Sequence, residues 1–274
     1  DRATWLNYIR CHDDIGLGFD DADVRAAGYD PRLHRRFLLE YYTGVFPGSP
    51  ARGTPFGRNE KTGDARISGS LASLAGLEAA IDKDDAHEID QAVNLILLLH
   101  AMILSYGGIP LLYYGDEIGT PNDVSYLSDL SKANDSRWMH RPRIAWDKAD
   151  RRHSHGSVEQ RLFDGLRQMI AVRKATPAFA DFNNRELLSV EDPHLFAFLR
   201  THPERPGETV LVVANFDVSP RHLDLSELGN RGLFQYGQVA DLCSGECPEQ
   251  TDDLLMVPPR RFFWLTDQRP GGLI

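Results

Sequence analysis

Cysteine is scarce in this sequence, with Cys11, Cys243 and Cys247 as its three instances in 274 residues. An odd set, of which only the last two are near neighbours, argues against a disulfide framework and suits a reducing, cytoplasmic compartment. Long hydrophobic runs are missing too. The longest apolar stretch, Val93 to Leu104, is broken by Asn94 and His100. It falls short of the roughly 20 residues a bilayer span needs, so no membrane association is expected. Nor is there a basic run: 40 acidic against 30 basic residues leave a net charge of −10, and nucleic acid is not an expected partner. A phosphate-cradling glycine loop and a Gly-x-Ser-x-Gly elbow are absent. His153-x-His155 lies in a polar loop without Cys or Glu at ligand spacing, and Cys243 and Cys247 read as strand-end cysteines. No metal and no cofactor are expected.

What is present is enough apolar residue, 42% of the chain, to bury a large core in one or two domains. The chain opens on Asp1 and enters a strand-like run almost at once, without a leader pattern, and is expected to be a fragment of something longer. Trp5 to Cys11 mixes aromatic and β-branched residues like a strand buried on both faces, and runs into the acidic turn His12-Asp13-Asp14. From Leu17 to about Asp84 the composition turns to Gly, Asp, Arg and Pro around one helical stretch, Pro31 to Tyr42. That is too long for a plain connection and predicts an inserted subdomain. Asp85 and Glu88 then resemble a capping box, and apolar residues at helical spacing run from Ile89 to Leu104 before Gly107-Gly108. Ile109 to Tyr114 is a short apolar strand ending in Gly115-Asp116-Glu117. Strand, acidic end, loop, helix, strand, acidic end is half of a β/α repeat.

After a polar loop, Val158 to Ala175 carries the pattern of an amphipathic helix. The period then changes to 2. Leu187 to Val190, Leu195 to Arg200, Val210 to Asn215, Arg221 to Leu225, Gly237 to Leu242 and Arg261 to Thr266 are strand candidates between turn residues. The expected organisation is a barrel segment over 1–181 with an insertion over about 17–84, then an all-β sandwich over 182–274.

Three groups could carry chemistry. Carboxylates at a barrel strand's mouth, such as Asp13 and Asp14, can stabilise positive charge, and His12 can hydrogen-bond a hydroxyl. The commoner role for such residues is a solvated turn in which Asp accepts backbone amides. The loop arginines Arg32, Arg52, Arg58, Arg66 and Arg137 offer rigid planar forks for polyhydroxyl ligands, although any one of them is more often a surface cation. Asp116 and Glu117 could face the same mouth or anchor their loop.

Tyr8-Ile9-Arg10-Cys11-His12-Asp13-Asp14-Ile15-Gly16 resembles the seventh-strand motif of the α-amylase superfamily, glycoside hydrolase family 13. Pro110 to Gly119 (PLLYYGDEIG) resembles its eighth strand. Ala51-Arg52-Gly53-x-Pro55-Phe56, Thr62-Gly63-Asp64-x-Arg66-x-Ser68-Gly69 and Asn134-Asp135-Ser136-Arg137-Trp138 are narrower and look like amylosucrases and bacterial sucrose hydrolases. The resemblance covers nearly the whole chain. It implies the C-terminal part of a (β/α)8 TIM barrel, strands 7 and 8 with a long inserted loop subdomain, followed by an antiparallel β-sandwich. Asp13 would be the transition-state-stabilising carboxylate and His12 would hold glucosyl hydroxyls. Asp14 would lie near the fructosyl side, and Arg137 would close the pocket floor with a partner outside this chain. Arg32 and Arg66 would contact the acceptor side.

The implied substrates are sucrose and an α-glucan acceptor. The family's nucleophile and acid/base motifs do not occur here, so the remaining N-terminal barrel segment is an implied partner. Leu17, where a bulky aromatic is expected, and a long loop around Phe46 to Pro50 favour sucrose hydrolysis over amylosucrase polymerisation. The alternatives are an α-glucosidase or α-amylase, and a non-catalytic carbohydrate-binding relative.

Overall fold

The computed structural model describes residues 3–234 and 239–267. The chain divides into two compact units: Asp1–Asn7 with Leu97–Leu111 and Asp164–Ile274, and Tyr8–Ile96 with Leu112–Phe163.

In the first unit, the strands Arg185–Leu187, Leu195–His202, Arg205–Asn215, Phe262–Asp267 and Val239–Asp241 form an antiparallel five-stranded sheet in that order. A second sheet has Arg221–Asp224 and Gln250–Thr251 flanking Leu254–Val257. The run Val210 to Ala214 is apolar at every position because both of its faces are buried, and a period of two sorts its side chains. Leu211 and Val213 join Leu223, Leu255 and Val257 between the two sheets. Val210 and Val212 point the other way, to Ala101, Leu104, Leu166, Met169 and Trp264. The layers are therefore helix, sheet and sheet, and the antiparallel sandwich expected from the spacing of the strand candidates is present. Of the predicted strand Gly237 to Leu242, residues 239–241 are a strand, and positions 237 and 238 lie outside the described residues.

A cation is embedded in this unit. Arg200 is fully buried, with Nε donating to Asn184 Oδ1 at 2.5 Å and its other nitrogens to the carbonyls of Ser105 and Asp181. Burial lowers its pKa to about 10, but three acceptors satisfy the fork. The barrel-type strands are shorter than their sequence suggests. Leu6–Asn7 pairs in parallel with Ile109–Pro110, in the register Leu6 to Ile109 and Asn7 to Pro110. Each has a ladder neighbour on one side only, and Trp5, Leu6, Ile109 and Leu111 remain exposed.

The second unit contains the predicted insertion. Asp20 caps the helix Asp21–Ala26, and Asp30 accepts from the Leu33 amide to cap Pro31–Tyr42, whose proline sits at the position where a missing N–H costs nothing. The hairpin Thr54–Phe56 with Arg66–Ser68 follows, and Ile67 makes an isolated bridge to Ile15. Leu39, Ala65, Ile67 and Leu74 form its small core, with Ile15, Leu17 and Tyr42 against them. Gly53 lies so close to the Tyr42 carbonyl that a Cβ would approach it to 2.5 Å, which excludes any larger residue there.

Asp85 accepts from the Glu88 amide at 3.0 Å, as the capping box predicts, ahead of the helix Ala86–Ser105. That 20-residue helix is long and apolar enough to cross a membrane by length and composition. Val93, Ile96, Leu98, Ala101 and Leu104 are nevertheless buried along it, the pattern of a core helix.

Shortening Leu211, which is fully buried, to Ala should cost about 2–5 kcal/mol in urea unfolding of the full-length protein. Leu187→Ala, at a 57% exposed position, should change it by less than about 0.5 kcal/mol. Equal losses would mean that the sandwich core is not where burial places it.

Candidate active site

The acidic turn His12-Asp13-Asp14 is held by Arg10 just before it and by two distant segments. Arg10 interrupts an apolar run and is 3% exposed. Its Nε donates to the Gly69 carbonyl at 2.9 Å and its Nη2 to the Asp13 carbonyl at 3.0 Å, so this residue pins the turn to the end of the Arg66–Ser68 strand. The Asp14 amide donates to Asp13 Oδ1 at 3.0 Å. From the segment 134–143, Arg141 Nε donates to the His12 carbonyl at 2.6 Å. His12 itself is exposed.

The two adjacent carboxylates are in different surroundings. Asp13 is 49% exposed and takes an ion pair from Arg137 Nη1 at 3.2 Å. Asp14 has a side chain only 1% exposed and pairs with Arg66 Nε at 2.8 Å. Hydrogen bonding from the adjoining Asp14, then the Arg137 guanidinium, holds Asp13 well below the usual carboxylate range. Burial, and then the hydrogen bond to Asp13, raise Asp14. Of the two, Asp13 is therefore the stronger acid and gives up its proton first.

Arg137 is occupied within the chain. Its fork grips Asp135 through Nε and Nη2, both at 2.9 Å, while Asp135 accepts from the Arg137 amide at 3.0 Å and caps the turn Ser136–His140. The expected partner was one outside this chain; inside it, Asp135 and Asp13 both engage the guanidinium. Phe56 packs beside both arginines, with Arg137 Cζ 4.7 Å and Arg66 Cζ 5.3 Å from its ring centroid.

Behind this layer lie two buried titratable groups. His140 is 1% exposed, and its Nδ1 accepts from the Gly69 amide at 3.2 Å. Burial, reinforced by the nearby Arg10 charge, pushes its pKa down to about 4, so the ring is neutral at pH 7. Burial pushes Asp116 up to about 8, against the pull of Arg10. Tyr113 and Tyr114 donate at 3.0 Å to the carbonyls of His140 and Pro142 and tie the end of the second barrel-type strand to the same loop.

Of the residues singled out in the sequence, His12, Asp13, Asp14, Arg66 and Arg137 come together. Arg32 stands apart. It lines, with Arg58 and Arg66, an open cavity of about 1470 Å³ bounded by residues 16–18, the helix Pro31–Tyr42 and the hairpin loop. Only Arg66 belongs to both the cavity and the carboxylate pair. Arg52 lies elsewhere, paired with Asp82 at 2.5 Å and Glu78 at 3.4 Å. Arg10, Phe56, Arg141 and His140 were missed. A lone arginine in a strand-like run was the available signal for Arg10; the others become visible only in three dimensions.

A family model described as the maltogenic amylase C-terminal domain matches residues 185–264. Trehalose synthase/amylase TreS of Mycobacterium tuberculosis (strain CDC 1551 / Oshkosh) is 32% identical over 209 residues, 67% of this chain and 34% of that protein. The trehalose synthase of Pimelobacter sp. (strain R48) is 28% identical over 216 residues, 67% of this chain and 36% of that one. The chain thus spans about a third of the length of these relatives. A crystal structure of an AmyP variant in complex with maltotriose shares the fold, with a TM-score of 0.52 at 17% identity over 73% of this chain and 39% of that one.

The buried Asp116 gives the region an electrostatic signature. Its folded pKa of about 8 lies above the unfolded value, so the native state keeps a proton that the unfolded chain releases. Stability from this group is complete below about pH 4 and is lost as pH rises toward 8. Asp116→Asn removes the titration, so its stability relative to the parent should increase between pH 5 and pH 8 in urea unfolding of the full-length protein. A difference independent of pH would mean that Asp116 is not the buried acid described.

Proposed function

We propose, for a chain that belongs to the α-amylase family, glycoside hydrolase family 13, and is a C-terminal portion of it, that the complete protein transfers an α-glucosyl unit from a small disaccharide with retention of configuration. The observation that carries this is the Asp13 carboxylate, half-exposed beside the exposed His12 and kept anionic by Arg137 and the Asp14 amide. An anion fixed in advance stabilises the oxocarbenium-like charge of a glycosyl transition state more than it stabilises the neutral sugar, which is the condition for lowering the barrier. His12 holds glucosyl hydroxyls in this reading. The nucleophile and acid/base, about 5–5.5 Å apart in a retaining enzyme, come from the remaining N-terminal barrel segment.

Sucrose is the preferred donor in this reading. The segment 134–143 supports it: Arg137 is clamped by Asp135 and Asp13 beside the candidate carboxylate, and in this reading it closes the donor pocket beyond one glucosyl unit. Arg66 extends from Asp14 into the open cavity with Arg32, where a glucan acceptor would lie. Water then competes with that acceptor, so hydrolysis is the first outcome and amylosucrase-type growth of an α-glucan the close alternative. A second reading, formation of trehalose, is favoured by the relatives named trehalose synthase.

Incubating the full-length protein with sucrose, maltose or trehalose, with and without glycogen, separates these readings. Equal glucose and fructose is the expected result. Excess fructose with glucan growth means polymerisation, trehalose from maltose means the second reading, and no consumption of any donor overturns the proposal.

On the donor so identified, Asp13→Asn should lower kcat by about a hundredfold or more with little change in melting temperature. Turnover near that of the parent would remove Asp13 from the mechanism. Arg137→Ala should raise KM for the disaccharide; an unchanged KM would detach Arg137 from donor binding.

A further inference from the structure

Phe56 stands where two separate electrostatic anchors of the site meet. Arg137 and Arg66 both pack on its ring, at 4.7 and 5.3 Å from the centroid. The same arginines hold the adjacent carboxylates, Arg137 to Asp13 at 3.2 Å and Arg66 to Asp14 at 2.8 Å. Register places them there. Phe56 and Arg66 are cross-strand partners in the hairpin, and Ile67, next to Arg66, exchanges backbone hydrogen bonds of 2.8 and 2.9 Å with Ile15, next to Asp14. Arg137 arrives from the turn Ser136–His140.

Neither arginine is packed tightly enough to be fixed by burial: their side chains are 55% and 30% exposed for Arg66 and Arg137. Arg66 is held by one ion pair to Asp14, and Arg137 divides its fork between Asp135 and Asp13; a long, partly exposed side chain loses rotamer freedom in keeping such pairs, and exposed pairs are weak for that reason. An aromatic face attracts a guanidinium and restricts its swing.

We propose that Phe56 is a positioning residue of this site, whose ring holds Arg137 against Asp13 and Arg66 against Asp14 so that both carboxylates are set before substrate arrives. The inference rests on the reading of Asp13 given above, and Phe56 acts through the two arginines rather than on the sugar. It joins the donor side of the site, where Arg137 sits, to the cavity side, where Arg66 sits.

The test is a mutant cycle in the full-length protein. Phe56→Leu keeps apolar bulk without a π face, and Phe56→Tyr keeps the face. Phe56→Leu should lower kcat/KM for the disaccharide about threefold to tenfold, the range a partly exposed cation–π contact supports. Phe56→Tyr should stay within about twofold of the parent, and the leucine variant should lose its effect in the Arg137→Ala background. An equal loss in both backgrounds, or a loss in Phe56→Tyr as large as in Phe56→Leu, overturns the inference. If the protein consumes no α-glucoside, the proposed function fails separately, and melting temperatures decide this inference. A drop from Phe56→Leu that shrinks when Arg66→Ala and Arg137→Ala are present supports it, and an additive drop overturns it.

Discussion

Two consecutive aspartates, each held by its own arginine from a different part of the chain, are the constraint on which the candidate site depends. Although adjacent in one turn, Asp13 and Asp14 have different surroundings. Asp13 emerges half-exposed toward Arg137, whereas Asp14 is buried against Arg66. Burying Asp14 without a cation would be costly, and leaving Asp13 without one would weaken its hold on a single charge state. The hairpin Thr54–Phe56 with Arg66–Ser68 and the turn Ser136–His140 supply those cations. The long loops whose arginines stood out in the sequence are therefore structural parts of the site.

The supporting contacts point the same way. Arg10 fastens the Asp13 backbone to Gly69, the Gly69 amide fastens His140, and Arg141 fastens the His12 carbonyl. This network uses the backbone as much as side chains, which fits a geometry meant to be kept rigid rather than merely stable. His140, neutral because burial and Arg10 disfavour its charge, can accept from the Gly69 amide without adding a further positive charge beside the arginines.

The β-unit follows a different logic, in which apolar burial dominates. The run Val210 to Ala214 in its central strand is apolar because one face fills the interior of the sandwich and the other packs under helices, and a period of two divides that run between two cores. The buried Arg200 is tolerated there because three carbonyl oxygens of the surrounding chain meet its planar fork. None of the residues singled out for chemistry lies in this unit. Residues 185–264 of this unit are the ones that match the maltogenic amylase C-terminal domain model.

Local chemistry made much of this protein legible from its sequence. Helical spacing marked Pro31–Tyr42, Ala86–Ser105 and Val158–Ala175, the second with its capping aspartate Asp85, and alternation bounded by turn residues marked most strands of the sandwich. The short strands Gln250–Thr251 and Leu254–Val257 were missed: the first has two residues, and the second, LLMV, is apolar at every position and shows no alternation. The barrel-type strands were drawn too long, since strand length is set by ladder partners on both sides and a strand-like composition does not say which partners are present. At the site, motif resemblance picked out His12, Asp13, Asp14, Arg66 and Arg137. Tertiary structure alone decided that each aspartate has a separate arginine, that Arg137 also grips Asp135, and that Arg32 stands apart. Ion pairs across 52 and 124 positions of sequence depend on how loops close, and no local pattern encodes that closure.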